Sequence, residues 1–167
     1  MSNDESSTTN NIAEVADPAR HLRYVAPDWF TRHVFNPIVA RSTRWGISLW
    51  GSRVLSVPGR VSGENRSTPV NVLTIHDRRY LVAPRGETQW VLNVRAAGGC
   101  ILRVGRRMET VRLRALDDHD KPDVLRPYLR RWKWEVGQFF DGVGADSSDA
   151  ELLAVAPNHP VFEILAT

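Results

Sequence analysis

The chain has 167 residues, 42% apolar and 25% charged, which suits one globular domain and leaves no room for two full ones. No apolar run approaches the ~20 residues of a membrane span. The single cysteine, Cys100, excludes an internal disulfide framework or a multi-thiolate metal site. Net charge is only +3, but residues 41–114 hold 14 basic residues against 4 acidic ones, so that segment carries a positive surface or cleft suited to an anionic partner. Pairing of these arginines with the acidic C-terminal third is the plainer alternative.

Residues 1–22 are polar and aperiodic and read as a disordered tail, and residues 23–167 as a single domain. The opening MSNDESSTTNN has neither the basic start nor the apolar stretch of a secretory signal, so a cytoplasmic location is expected. Pro27-Asp28 starts one helix, and Asn36-Pro37 caps and opens a second. Phe30, Val34, Ile38, Trp45 and Leu49 line an apolar face, which suits packing on the core. The neighbouring tryptophans and arginines also suit peripheral contact with a membrane surface.

From Arg53 the texture becomes that of strands. Arg53–Val57 is a short apolar run. Val70–Ile75 and Tyr80–Ala83 flank the turn at 76–78, and Ile101–Val104 and Thr110–Leu116 flank Gly105-Arg106-Arg107, so each pair reads as a hairpin. In the second, Val111, Leu113 and Ala115 share one face and Arg112 and Arg114 the other. Between the hairpins, Glu87–Ala97 reads as a helix closed by Gly98-Gly99. Asp123–Phe140 is an amphipathic helix with Leu125, Leu129, Trp132, Val136 and Phe139 on its apolar face. Ser148–Val155 is a shorter helix and Val161–Leu165 a last strand. About six short strands, mostly joined as hairpins, predict a mainly β (α+β) domain: an antiparallel barrel with helices packed outside.

Motifs for phosphate loops, nucleophile elbows and zinc hydrolysis are missing: there is no G-x-G-x-x-G, no Walker loop, no G-x-S-x-G and no H-E-x-x-H. An enzyme of this composition relies on a bound cofactor for the difficult step. Two blocks carry the chemistry. Arg60-Val61-Ser62-Gly63-Glu64-Asn65-Arg66-Ser67-Thr68-Pro69-Val70 lies between two strands and combines arginine forks with small residues, which suits phosphate. Tyr80 to Gly98 runs from a strand through Pro84-Arg85-Gly86 into a helix whose N-terminus favours anions. Trp90, Asn93 and Ala97 share one face of that helix. Either block is also compatible with plain structure: a charged hairpin loop, and a helix packed on the barrel by its tryptophan.

The run R-x-S-G-E-x-R-x-T-P-V, followed by Y-L-V-A-P-R-G-E-T-Q-W-V-x-N-x-R-A-A-G-G, resembles the deazaflavin-dependent nitroreductase and quinone reductase family over about residues 36–116. The resemblance implies a split β-barrel, the cofactor F420, and hydride transfer to a small-molecule electron acceptor such as a quinone, a nitroaromatic or an activated enone. It places Arg60, Ser62, Gly63 and Arg66 on the cofactor's phosphate and glutamyl tail. Pro69 and Val70 fall against its ring, Ala83, Pro84, Arg85 and Gly86 along its edge, and Trp90, Asn93 and Arg95 on the matching W-x-x-N-x-R helix. This chain departs from the family at Pro84-Arg85, where many members carry lysine or serine, and at Val94, where leucine is usual. FMN is therefore the alternative cofactor. Tyr24, Tyr80 and Tyr128 are candidate proton donors, with packing and a satisfied hydroxyl as the commoner role of such tyrosines.

Two other functions compete. A non-catalytic carrier of flavin, F420 or lipid needs no signature residue. A nucleic-acid module is not expected, because the basic residues are spread over loops and no strand shows an RNP-type aromatic pair. The oligomeric state stays open, a homodimer included.

Overall fold

The structure, a computed structural model, describes residues 52–166. The expected tail, the two N-terminal helices with their aromatic face, and Tyr24 lie outside the described residues. Six antiparallel strands close into a barrel: β1 (Ser52–Pro58), β2 (Asn65–Ile75), β3 (Arg78–Val82), β4 (Gly99–Val104), β5 (Arg107–Ala115) and β6 (Val161–Ala166). Their order around the barrel is β1-β2-β3-β6-β5-β4. Helix α1 (Gln89–Ala97) joins β3 to β4, and α2 (Pro122–Val136) and α3 (Asp149–Val155) lie between β5 and β6.

Strand alternation sorts the side chains into two cores. Leu55, Val57, Val70, Leu81, Ala83, Cys100, Leu102, Val111, Phe162 and Ile164 point inward, and Val91 and Val94 of α1 join them. Tyr80 and Val82, the other face of β3, pack with Leu73 and Val161 against Leu125, Tyr128, Leu129, Trp132 and Phe140. One strand thus serves both layers, as a period of two requires. Val111 and Leu113 face the barrel as expected, while Ala115 at the strand's end is exposed. Cys100 is fully buried, and burial pushes its thiol up to about 12, so it stays protonated.

Three local expectations change. The block at 60–70 is a loop only as far as Glu64. A tight turn, closed by Gly59 N to Glu64 O at 2.8 Å, sends the chain into β2, which pairs with β1 from Pro58↔Asn65 to Ser52↔Asn71. Arg66, Pro69 and Val70 therefore sit on a strand. Helix α1 starts at Gln89 with Thr88 as its N-cap, rather than at Glu87. The helix read over 123–140 stops at Val136. Trp132 leaves helical geometry at φ −127°, and Gly137–Phe139 continues as a 3-10 turn, in keeping with glycine's poor helix propensity. Phe139 is carried out of the α2 stripe, to the edge of a cleft. The α3 start at Ser148 is a reciprocal capping box with Glu151.

Glu163 collects Arg114 and Arg78, while Arg79 pairs with Glu109 within its own segment. That hydrogen bond from Arg79 holds the Glu109 carboxyl below its usual range. Among the described residues no helix is long and apolar enough to cross a membrane.

Candidate functional site

A groove runs along the outer edge of β2, past the N-terminus of α1 and under α2. It has two connected parts that share Ser67, Thr68, Thr88 and Trp90. The basic part, about 640 Å³, is walled by the β1–β2 turn and α1 and includes Arg60, Ser62, Arg66, Gln89 and Asn93. The more apolar part, about 470 Å³, is walled by Pro69, Val70, Ala83, Pro84 and Arg85 on the barrel side and by Tyr128, Glu135, Val136, Gln138 and Phe139 on the helical side.

The basic end is pre-arranged. The buried Asn93 carboxamide oxygen accepts from the Arg60 backbone N–H at 3.2 Å and from Arg60 Nη1 at 3.1 Å. Arg60 Nη1 also donates to Gln89 Oε1 at 2.9 Å. The guanidinium is thus fixed at the start of α1, where unpaired first-turn amides and the helix dipole already favour an anion. Arg66 pairs with Glu64 at 3.0 Å, but both side chains are largely exposed, so turning Arg66 towards a ligand costs little.

The turn at 83–86 is held from behind. Ala83 N donates to Pro160 O at 2.8 Å and Gly86 N to Ala83 O at 3.1 Å. The Arg85 guanidinium lies 4.9 Å from the centre of the Phe139 ring. The Trp90 ring is tilted on Phe162 with centroids 5.9 Å apart.

His159 also supports this turn. It is 3% exposed, is stacked on Phe140 at 3.9 Å, and lies close to the backbone of Ala83 and Pro84. Burial holds its pKa below the usual value against the opposing pull of the Pro84 and Ala83 backbone and of Asp141, and Nδ1 has no partner among the described residues. Because the folded pKa is depressed, the stability this neutral ring contributes is complete above its ordinary value of 6.5 and is lost as pH falls through the folded value. Urea unfolding at about pH 7.5 and about pH 5.5 is expected to show that loss in the wild type and a smaller one in His159→Gln. Equal losses in both proteins would assign the acid limb to other groups.

Most of the sequence-derived site residues come together here. Arg60, Ser62, Arg66, Pro69, Val70, Ala83, Pro84, Arg85, Trp90 and Asn93 all line the groove. Gly63 and Gly86 shape the adjoining turns without lining it. Arg95 does not join them: it is exposed on the far side of α1 and ion-paired with Glu87. Thr88 was missed, although its place just before a helix is a recognisable N-cap signal. Tyr128, one of the three candidate proton donors, lines the groove, whereas Asn71, Glu135 and Gln138 were missed, because no local pattern tells which strand edge a later helix will cover.

Residues 31–136 match the family described as F420H(2)-dependent quinone reductase. The chain belongs to that family. It is an oxidoreductase, its cofactor is F420, and its acceptor is a small molecule. Among solved structures, an F420-H2 dependent reductase is 16% identical, with a TM-score of 0.50 over 68% of this chain and 93% of its own. A protein of unknown function from Agrobacterium tumefaciens is 14% identical, with a TM-score of 0.51 over 89% of this chain and 58% of its own. At such identities these likenesses speak for the fold, a split barrel. No functionally curated protein matches the chain.

The residues present fit the family's cofactor. Thr88 Oγ1 is buried without a hydrogen-bond partner at the junction of the two parts of the groove, and its side chain does not cap α1. A buried hydroxyl left unpaired is costly unless a ligand satisfies it. Thr88→Val keeps the shape and removes the hydroxyl. It is expected to leave the melting temperature equal or higher and to weaken F420 binding by about 1 kcal/mol. Lower stability with unchanged binding would show that the hydroxyl serves the fold.

Proposed function

We propose that the two-part groove is the cofactor and acceptor site of this F420-dependent reductase, and that it reduces flat neutral acceptors: quinones first, with nitroaromatics and activated enones as further substrates. The observation that carries this reading is one continuous groove, with a fixed arginine and a helix N-terminus at one end and an apolar cleft at the other. Arg60 and Arg66, with Ser62 and Thr88, bind the phosphate and the carboxylate tail of F420 through charge-assisted hydrogen bonds. Pro69, Val70, Ala83 and Pro84 present an apolar wall to a planar ring, with Arg85 at its edge. When bound and reduced, F420 supplies a hydride. The protein contributes orientation, exclusion of water and stabilisation of charge on the acceptor.

The test is a titration of the purified protein with oxidised F420 and with FMN, followed by tryptophan quenching, and then an acceptor screen with reduced F420. Saturable, salt-sensitive F420 binding that is tighter than FMN binding, with quinone turnover, is the expected result. Tighter FMN binding would move the redox chemistry to a flavin. F420 binding with no turnover of any acceptor would favour a carrier.

A further inference from the structure

The segment that leads into β6 forms the back of the Ala83–Gly86 turn, and it is itself firmly held. Lys121, buried at the start of α2, donates to Ala156 O at 2.9 Å and to Asp118 Oδ1 at 2.6 Å. His159 N donates to Ala156 O at 3.1 Å, and Pro160 O accepts from Ala83 N at 2.8 Å. Asn158 O comes so near Gly86 that a Cβ there would stand 3.1 Å from it. The His159 ring fills the space between this segment and the turn. It is stacked on Phe140 with the planes 21° apart, beside the backbone of Ala83 and Pro84. Phe140 is fully buried, and its chain neighbour Phe139 carries the Arg85 guanidinium on its ring. The backbone of the turn and its arginine thus both lean on one imidazole.

We propose, resting on the reading of the groove as the cofactor site, that His159 is a positioning residue: its uncharged ring holds the Ala83–Gly86 turn in the shape that F420 binds, so that a proton taken up by His159 releases the cofactor. The geometry sets the sign. An uncharged imidazole has one donor nitrogen and one acceptor, whereas a charged one has two donors. Nδ1 is buried and has no partner among the described residues, so in the charged ring it would be an N–H without an acceptor. That cost is relieved only if the ring moves. Burial is the largest influence on the ring and opposes its charge, as does Lys121, while the backbone of Pro84 and Ala83 and the carboxylate of Asp141 favour it. The neighbouring elements also bring Arg85, on the turn, and Asp118, which is paired with Lys121. Asp141 is exposed, so it and water offer the acceptor that the stack lacks. A ring that turns towards them leaves Phe140 and the turn. F420 then binds the form with uncharged His159, and its affinity falls as pH drops through the folded pKa, which lies below 6.5. By linkage, bound F420 holds that pKa lower still.

The test compares the wild type with His159→Phe, which keeps an aromatic ring on Phe140 and cannot take up a proton. F420 affinity is measured by tryptophan quenching from about pH 7.5 down to about pH 4.5. In the wild type Kd is expected to rise by up to about tenfold per pH unit below the His159 pKa. His159→Phe should bind a few-fold more weakly at the upper end, because it loses the polar edge beside the turn. It should then hold its affinity as pH falls, apart from the effect of the cofactor's own carboxylates, which both proteins share. Proton NMR of the wild type gives a second readout. The His159 Cε1–H signal, assigned by its absence in His159→Phe, or in His159→Gln should the first variant not fold, is expected to titrate below 6.5 and to shift to lower pH when F420 is bound. Parallel pH profiles in wild type and variant, or a His159 signal whose titration F420 does not move, overturn the inference. Loss of binding that coincides with loss of far-UV circular dichroism overturns it as well, because the turn then yields only with the whole fold. A wild type that does not bind F420 even at about pH 7.5 defeats the reading of the groove instead. Tight binding with no dependence on His159 defeats only this inference.

Discussion

Replacing Arg60 with alanine is expected to weaken F420 binding by about 1.5–3 kcal/mol, the worth of a charge-assisted hydrogen bond, or roughly 10- to 150-fold in Kd. Arg60 differs from an ordinary surface arginine because its geometry is set before the ligand arrives. Asn93 Oδ1 holds both its backbone N–H and its guanidinium, and Gln89 holds the guanidinium from the side. A pre-arranged fork loses little side-chain entropy on binding, so more of its gross attraction survives as affinity. Asn93→Ala should act through the same contact with a smaller effect, because Gln89 still steadies the arginine. It should also lose about 1 kcal/mol of stability by leaving the Arg60 N–H unpaired. The double variant should bind no more weakly than Arg60→Ala alone, since both changes remove one unit. Tryptophan quenching gives the affinities and urea unfolding the stabilities. Wild-type affinity in Arg60→Ala would take the anionic tail out of this end of the groove.

What the sequence revealed of this site follows the range of the interactions involved. Strand alternation is local, so all six strands, and Val111 and Leu113 on the inward face of β5, could be read directly. The spacing of Trp90 and Asn93, three apart on a helix, correctly put both on the groove. The same geometry excludes Arg95. Two residues from Asn93 is about 200° around the helix, which turns it to the outer face, where Glu87 meets it. A motif taken as a string carried all three residues together, but a helix presents only the members of one stripe. The far wall was hidden for a different reason. The apolar stripe of Leu125, Leu129, Trp132 and Val136 was legible as amphipathic, and Tyr128 and Glu135 flank it on the same helix. That this stripe crosses the mouth of a barrel formed some 50 residues earlier depends on packing between α2 and β3, which no local pattern encodes. The break at Trp132, which delivers Gln138 and Phe139 to the cleft through a 3-10 turn, is of the same kind: Gly137 permits it and tertiary packing decides it.

The largest effect on stability is expected from Gly99→Ala, and its comparison with Gly98→Ala separates two uses of glycine in adjoining positions. Gly98 closes α1 in the left-handed region at φ +69°, its N–H donating to Val94 O, and a Cβ there would meet nothing within 4 Å. Alanine at 98 therefore pays only the backbone strain, about 1–2 kcal/mol. Gly99 opens β4 against β5, opposite Arg112, and a Cβ there would stand 2.4 Å from the carbonyl oxygen of Val111. That neighbour is strand backbone with Val111 fully buried, so relief requires β4 to move away from β5. Overpacking that cannot relax through a side chain belongs at the top of the usual range, about 3 kcal/mol or more. Urea unfolding of the two variants should therefore show Gly99→Ala as clearly the weaker protein. The consequence reaches the site, because the Gly98-Gly99 corner sets where α1 leaves the barrel, and α1 carries Asn93 and Trp90. In the folded fraction of Gly99→Ala, F420 affinity is expected to fall as well, whereas Gly98→Ala should bind F420 as the wild type does. Equal stability losses in the two variants would mean that the β4–β5 edge yields at Gly99 with little strain.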